Sequence, residues 1–381
     1  MKVVIAPDSF KGSLSALEAS EAIERGIRKV MPEASTVLVP VADGGEGTMD
    51  SLVSATGGRR MEVIVTGPLA SPVQASYGIL GDNKTCVIEM ASASGLYLIR
   101  AEQRNPMLTT TFGTGQLIKH ALDEGCRQFI LAIGGSATND GGIGMLQALG
   151  MRLLDAEGND VGFGGGELRR IVELDVRNFD PRVAEADFLI ASDVQNPLIG
   201  PQGASHVFGP QKGATEEMAN KLDEYVRHWA DLIERKTGIH LHDRPGAGAA
   251  GGIGGAFQAF FPTKMNRGID VVIEYTKLTD NLEGADLVIT GEGRIDSQTA
   301  SGKTPMGVAQ EAQKKGIPVI VLAGSIGRGI ETLYQYGIHS FHSIVSAPMT
   351  LEEAMEQGSE LLELAAEQVF RTYTASYSQN C

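Results

Sequence analysis

The chain is poor in cysteine, poor in aromatic residues and short of positive charge. Its three cysteines, Cys86, Cys126 and Cys381, are odd in number and show no CxxC spacing. Neither a zinc motif nor a disulfide framework is indicated, and a reducing, cytoplasmic setting is expected. Aromatic residues make up 6% of the chain, with Trp229 the single tryptophan, so no stacking platform for bases is expected. The formal charge is −15. Binding to nucleic acid needs basic stripes and is not expected here. A local anion site is not excluded, because a few cations and backbone N–H groups can neutralise an anion inside an acidic protein. No apolar run approaches the ~18 residues of a membrane span. Met1 and Lys2 run directly into Val3-Val4-Ile5, and no signal peptide is expected. No G-x-S-x-G elbow occurs, which counts against a hydrolase. His240 and His242 alternate, but with no HExxH and no second cluster the pair is not read as a metal site.

Glycine is what the chain has in excess, at 48 of 381 residues. The glycines are clustered, which points to loops where backbone approaches a ligand or takes positive φ. The length favours two domains. Residues 3–6 read as a buried strand. Ser15 and Glu18 form a capping-box pattern, followed by Ala19, Ile23, Ile27 and Val30 at helical spacing. Pro32 stops that helix, residues 37–41 read as a second strand, and a helix follows from Gly47. This βαβα opening implies a largely parallel sheet. The rhythm returns near the end, with strands at 286–290, 319–323 and 341–345 and helices at 305–315, 330–336 and 351–373. From Leu69 to Leu282 the texture is richer in glycine and in long loops, with strands at 129–133 and 188–191 and a helix at 216–235. An α/β domain built from both chain ends, 1–68 plus 284–381, with a second α/β domain, 69–283, inserted, is the organisation expected. A plain cut near the middle is the simpler alternative.

Six stretches follow one layout, a strand end and then a glycine-rich or polar loop, where ligands bind in open α/β sheets. Residues 6–13 carry Ser9 and Lys11 before a capped helix, where an anion would sit; a capping turn with a solvated lysine explains them equally well. Residues 42–48 set Asp43 and Glu46 among glycines, suited to Mg²⁺ or a polyol, although acids also favour helix starts. Residues 134–142 supply Gly134, Gly135, Ser136, Thr138, Asn139 and Asp140, the composition of a phosphate nest. Residues 192–197 contain Asp193 and Asn196, which could be a base with an orienting amide or a metal pair, or simply a turn. Lys212 lies in a fifth stretch together with a GxGxxG at Gly246, Gly248 and Gly251. No strand precedes that motif, so it is discounted as a dinucleotide fingerprint. The sixth stretch holds Gly291, Glu292, Gly293, Arg294 and Asp296, then Lys303-Thr304. Ser297 stands where a P-loop needs glycine, so Lys303 is only a phosphate-facing candidate at a helix start.

Taken in order, residues 6–13, 40–48, 134–142, 147–150, 193–198, 209–214, 245–252, 290–299 and 302–309 resemble the type I glycerate kinase family across nearly the whole chain. Gly12 stands where relatives often carry Glu, away from the positions read as chemical. The resemblance implies a flavodoxin- or Rossmann-like parallel-sheet domain made from both chain ends. It also implies transfer of the γ-phosphoryl of ATP, with Mg²⁺, to a hydroxyl of D-glycerate, with 2-phosphoglycerate preferred to 3-phosphoglycerate as product. On that chemistry Asp193 is expected to act as base or to orient the attacking hydroxyl, with Asn196 beside it. Lys11, Arg294 and Lys303 are candidate anion clamps. Asp43, Glu46 and Asp296 compete for metal or polyol contacts, with Asp43 and Asp296 preferred for the metal. Ser9, residues 134–140, Lys212, Gly291, Glu292 and Gly293 are expected to contact substrate or nucleotide. Glycerate and ATP are the expected partners, and a homodimer is left open. The alternatives are an NAD-dependent dehydrogenase of a small hydroxy acid and a non-catalytic sugar-acid sensor.

Overall fold

Unbroken apolar runs make the central strands, as they must where both faces of a parallel sheet are covered. The structure, a computed structural model, describes residues 1–296, 299 and 304–375. Lys303 lies outside the described residues. The strands are β1 Lys2–Ile5, β2 Ser35–Leu38, β3 Arg59–Thr66, β4 Pro72–Ile79, β5 Thr85–Glu89, β6 Gln128–Ala132, β7 Arg152–Leu154, β8 Glu173–Asp175, β9 Asp187–Ala191, β10 Thr263–Asn266, β11 Leu287–Ile295, β12 Val319–Ile326 and β13 Ile338–Ser343. The fold is mixed α/β. The chain divides into two compact units, the first comprising Met1–Asp43, Asp50–Gly57 and the chain from Arg267 onward, the second Gly44–Met49 and Gly58–Asn266.

In the first unit five parallel strands run in the order β13-β12-β11-β1-β2. Counted along the strands of this unit that is the 2-1-3-4-5 order of flavodoxin-like sheets, in which the winding reverses between the first and third strands. Here the reversal falls between β1 and β11, whose register pairs Val4 with Val288. The pairing outlasts β1: Ala6 N donates to Ile289 O at 2.8 Å, Asp8 N to Gly291 O at 2.8 Å, and Thr290 Oγ1 to Ala6 O at 2.7 Å. Val3, Ile5, Leu287, Ile289 and Leu322 from the sheet pack with Ile23, Ile27, Leu362 and Phe370 from the helices.

The Ser15–Glu18 capping box forms at the start of the helix Ala16–Val30, with Glu18 N donating to Ser15 Oγ and Ser15 N to Glu18 Oε2. The long C-terminal helix expected over 351–373 is two helices, Leu351–Glu356 and Gly358–Ala375. Ser13 Oγ donates to the Met355 carbonyl, and a Cβ on Gly358 would meet Ser13 Oγ at 2.3 Å. A side chain from the loop after β1 thus caps the first helix where an unbroken one would continue. The segment expected as a helix at 330–336 is a run of 3₁₀ turns, Ile330–Tyr336.

The second unit holds a six-stranded sheet in the order β10-β9-β6-β5-β4-β3 and a two-stranded ribbon, β7-β8. β10, β9, β6 and β5 are parallel, and β4 and β3 continue the sheet antiparallel. Its core gathers Phe129, Leu131, Phe188 and Ile190 from the sheet with Trp229, Ile233 and Phe257 from the helices. Residues 58–68, grouped with the first domain on sequence, carry β3, which pairs along its length with β4. Among the described residues no helix is long and apolar enough to cross a membrane.

The helix Ala16–Val30 packs on the helix Gly358–Ala375 through Gly26, where a Cβ would meet Glu363 O at 2.4 Å and Ala366 Cβ at 2.9 Å. Gly→Ala within a helix ordinarily stabilises by about 0.5–1 kcal/mol. Here overpacking against backbone should reverse the sign, so Gly26→Ala is expected to cost about 1–3 kcal/mol in equilibrium urea unfolding.

Candidate active site

The loop after β1 carries an acid that burial makes reluctant to ionise. Asp8 is 3% exposed. Its Oδ1 accepts the Ser9 amide at 2.6 Å and its Oδ2 accepts the Thr304 hydroxyl. Burial, and then the negative field of Asp43, push its pKa up to about 6, against the pull of the Thr304 and Ser9 hydrogen bonds and of Lys11. Sequence reasoning placed residues 6–13 at a ligand site but passed over Asp8 in favour of Ser9 and Lys11. The available signal was its position, a carboxylate just past a parallel strand, shared with Asp43 and Asp193.

Asp8, Ser9, Lys11, Asp43, Glu292, Gly293, Arg294 and Ser325 line a cavity of about 600 Å³ at the carboxyl ends of β1, β11 and β12. This is the crevice where the strand order reverses. Gly291, next to Glu292 in β11, is not among the lining residues; it must be glycine because a Cβ would stand 2.2 Å from the Leu322 carbonyl of β12. Glu292 is buried and accepts the Thr299 hydroxyl at 3.1 Å. Arg294 is exposed and its Nε donates to Asp296 Oδ2 at 3.1 Å. Asp296, whose amide donates to Thr299 Oγ1, is not among the residues lining the cavity.

The second unit holds a different pocket, of about 220 Å³, lined by Gly134, Gly135, Ser136, Ser192, Gln211 and Lys212 among others. The turn at Gly134 and Gly135 follows β6; Gly135 has φ 72°, and a Cβ on Gly134 would meet Gly45 Cα at 3.3 Å. Lys212, 1% exposed, donates from Nζ to Ser136 Oγ at 2.8 Å and to Thr138 O at 2.6 Å. An ammonium has three N–H donors, so one remains. Burial pushes the Lys212 pKa down to about 7, with Asp140 opposing. Asp140 is itself buried, and its carboxylate accepts from the amide and hydroxyl of Thr111 and from the amides of Gly142 and Gly144. It holds the loop in shape, and burial raises its pKa despite those bonds. Asn139 is buried and donates to Ser205 Oγ at 2.9 Å, while Thr138 Oγ1 and Asn139 Oδ1 lack a hydrogen-bond partner.

Asp193 is exposed at the end of β9, between the pocket-lining residues Ser192 and Val194. Asn196 turns aside, donating from Nδ2 to Gln202 O at 2.9 Å. Glu46 is exposed.

Residues 3–374 match the profile of the Glycerate kinase family. The chain is 54% identical to the glycerate kinase of Bacillus subtilis (strain 168), covering 97% of each. It is 51% identical to the glycerate 2-kinase of Escherichia coli K12, covering 93% of each. A crystal structure of a protein described as glycerate kinase 2 from Salmonella typhimurium LT2 superposes with a TM-score of 0.89 at 48% identity, covering 99% of each chain. The chain belongs to the glycerate kinase family.

In this glycerate kinase family member the GxGxxG run serves packing. Residues 245–248 are turn and no strand leads into them. A Cβ on Gly248 would stand 2.1 Å from Pro197 O, and one on Gly251 would stand 2.0 Å from Thr138 O. These glycines let the run lie directly against the strand-end loops at 193–198 and 134–142, which accounts for the motif without a dinucleotide.

The Asp8 shift gives a test. Its folded pKa, about 6, lies above the ordinary value of 3.8. Protonation of the buried carboxyl favours the folded state, so the stability it contributes is present in full below pH ~4 and is lost as pH rises through 6. Asp8→Asn should therefore be the more stable protein at pH 8, by roughly 2–3 kcal/mol if the whole shift is realised. The advantage should vanish by pH ~4 in parallel thermal melts.

Proposed function

We propose that the protein is an ATP-dependent glycerate kinase, transferring the γ-phosphoryl group of ATP to the 2-hydroxyl of D-glycerate to give 2-phosphoglycerate. Membership of the family over residues 3–374 supports the activity. The choice of the 2-hydroxyl is supported by the relative named glycerate 2-kinase. From the geometry, the observation that carries the reading is a buried lysine with a spare N–H at the foot of a glycine turn, in a pocket of small volume.

The 220 Å³ pocket has room for roughly seven waters at about 30 Å³ each. That is enough for a three-carbon acid and too little for a nucleotide. In this reading the Lys212 ammonium and the turn at Gly134 and Gly135 receive the glycerate carboxylate. The 600 Å³ cavity lies within the range of small-ligand sites, about 300–1,000 Å³, and is large enough for a nucleotide. Lys11 and Arg294 supply positive charge there for phosphate oxygens. Asp8, Asp43 and Glu292 bring hard oxygen donors to the same cavity. The repulsion by which Asp43 raises the Asp8 pKa would be relieved by a divalent cation. The set fits Mg²⁺, which typically takes one or two carboxylates and completes its shell with phosphate and water. Held there by these carboxylates, such an ion would supply charge neutralisation for the transferring phosphoryl group. Asp193 orients the attacking hydroxyl or accepts its proton. Asp296, held by Arg294, is the less suitable metal ligand of the two chosen on sequence.

Product analysis by ³¹P NMR separates 2- from 3-phosphoglycerate, and formation of the 3-isomer alone overturns the regiochemistry. Lys212→Met should raise KM for glycerate at least about tenfold with little change in KM for ATP. A change confined to ATP would instead make residues 134–140 a nucleotide-phosphate nest. Because Lys212 is depressed to about 7, it discharges as pH rises above neutrality. The wild-type KM for glycerate should then climb with pH, by up to about tenfold per unit, and the variant's should not. Asp193→Asn should lower kcat by about two orders of magnitude or more. Near-normal turnover in Asp193→Asn together with loss in Asp296→Asn removes Asp193 from the proton-handling role.

A further inference from the structure

A cluster outside both cavities stands at the C-terminal end of the helix Glu216–Thr237. Gly238, with φ 75°, ends that helix in the left-handed conformation and turns the chain back. The residues that follow, His240 and His242, come back over the last helical turn, their rings stacked with centroids 4.4 Å apart and planes 19° from parallel. Glu234 Oε2 lies 3.1 Å from His240 Nδ1 and 4.0 Å from His242 Nδ1. One ligand atom from each of the three residues lies within 4.8 Å of the others.

His242 carries the decisive detail. Its side chain is 15% exposed, and its Nε2 is 2.8 Å from Asp231 Oδ1. A neutral ring bonded in this way keeps its proton on Nε2 and leaves Nδ1 as a bare lone pair. That Nδ1 is buried and has no hydrogen-bond partner. A buried lone pair beside a carboxylate oxygen is costly unless a cation lies between them.

We propose that Glu234, His240 and His242 bind one divalent transition-metal ion of the zinc class, through Oε2 and the two Nδ1 atoms. Ligands about 2.1 Å from a tetrahedral ion stand about 3.4 Å from one another. The two separations from Glu234 Oε2, 3.1 and 4.0 Å, bracket that value, and rotation of the stacked rings about their Cβ–Cγ bonds would bring both in-plane lone pairs onto one ion. Two imidazoles and one carboxylate favour zinc, cobalt, nickel or copper over magnesium. Asp231 acts as the outer carboxylate that fixes the His242 ring. Three protein ligands leave a fourth position for water. The His242 carbonyl accepts the amides of Leu198 and Ile199 at 3.1 and 3.3 Å, so the ion would tie the helix end to the segment that continues the Asp193 loop. The alternation of His240 and His242 did not suggest a metal on sequence because the third ligand, Glu234, lies on the preceding helix and joins them only through the reversal at Gly238.

The test uses the full-length protein without an affinity tag, stripped with EDTA and dialysed. Titration with Zn²⁺ by calorimetry should show one equivalent bound, undisturbed by millimolar Mg²⁺. Co²⁺ should develop visible d–d absorption and be displaced by Zn²⁺. His242→Ala and the exposed-site variant His240→Gln should each weaken Zn²⁺ binding by at least about 100-fold, and Asp231→Asn by about 10- to 100-fold. Melting curves in EDTA check that the variants are folded; His240→Gln, altered at an exposed side chain, serves if His242→Ala is not. If wild type and folded His240→Gln bind Zn²⁺ equally, or if wild type binds none, the site is a proton-bridged histidine pair and the proposal fails.

Discussion

The pairing of β1 with β11 is the constraint on which the first unit's chemistry depends. It continues past the end of β1, through Ala6 N to Ile289, Asp8 N to Gly291 and Thr290 Oγ1 to Ala6. Those bonds set the chain direction at Pro7 and carry Asp8 into a largely buried position at the edge of the cavity. On its other side β11 pairs with β12, and there the Leu322 carbonyl occupies the place of a side chain, so position 291 must be glycine. Ligand-facing groups then project from strand ends whose backbone is already satisfied, so their positions are held by the sheet and not by the loops.

Each unit holds, beside a pocket, an ionisable group kept against its preference. Burial drives Asp8 toward the protonated form and Lys212 toward the neutral form. In both cases a ligand of opposite charge would relieve the strain, a cation for the first and an anion for the second. In a chain of net charge −15 a potential favourable to a small anion would be local and dehydrated, with little of it spent on the surface.

Much of this was legible in the sequence, for physical reasons. The central parallel strands are buried on both faces, so β1, β6, β9, β11 and β12 read as apolar runs. The Ser15–Glu18 box carries its own geometry. β3 and β10 were not legible: β3 buries only Val65 of its eight residues, and β10, Thr-Lys-Met-Asn, is polar. The break at Gln357 was hidden because its cause, Ser13, lies 342 residues away from Met355. Within the candidate site, Lys11, Asp43, Glu292, Gly293 and Arg294 were found by their strand-end positions and line one cavity. Asp8 escaped because its importance comes from burial, which local sequence does not encode. Asp140 was legible as polar loop chemistry, but its inward orientation required Thr111, a residue no local pattern links to it.

The span of the β1–β11 contact also has a temporal side. Thr290 and Ala6 are 284 positions apart, so β1 leaves the ribosome long before the strand that completes its hydrogen bonding exists. A two-stranded ribbon of β1 and β2 is at best marginally stable in water. The second unit, encoded between β2 and β11, can assemble earlier because its strands from β3 to β10 are complete once residue 266 has been made. Its folding also shortens the effective loop that β1 and β11 must close. Maturation of the nascent chain is therefore ordered from the middle outward, and the amino-terminal segment must stay soluble through most of translation.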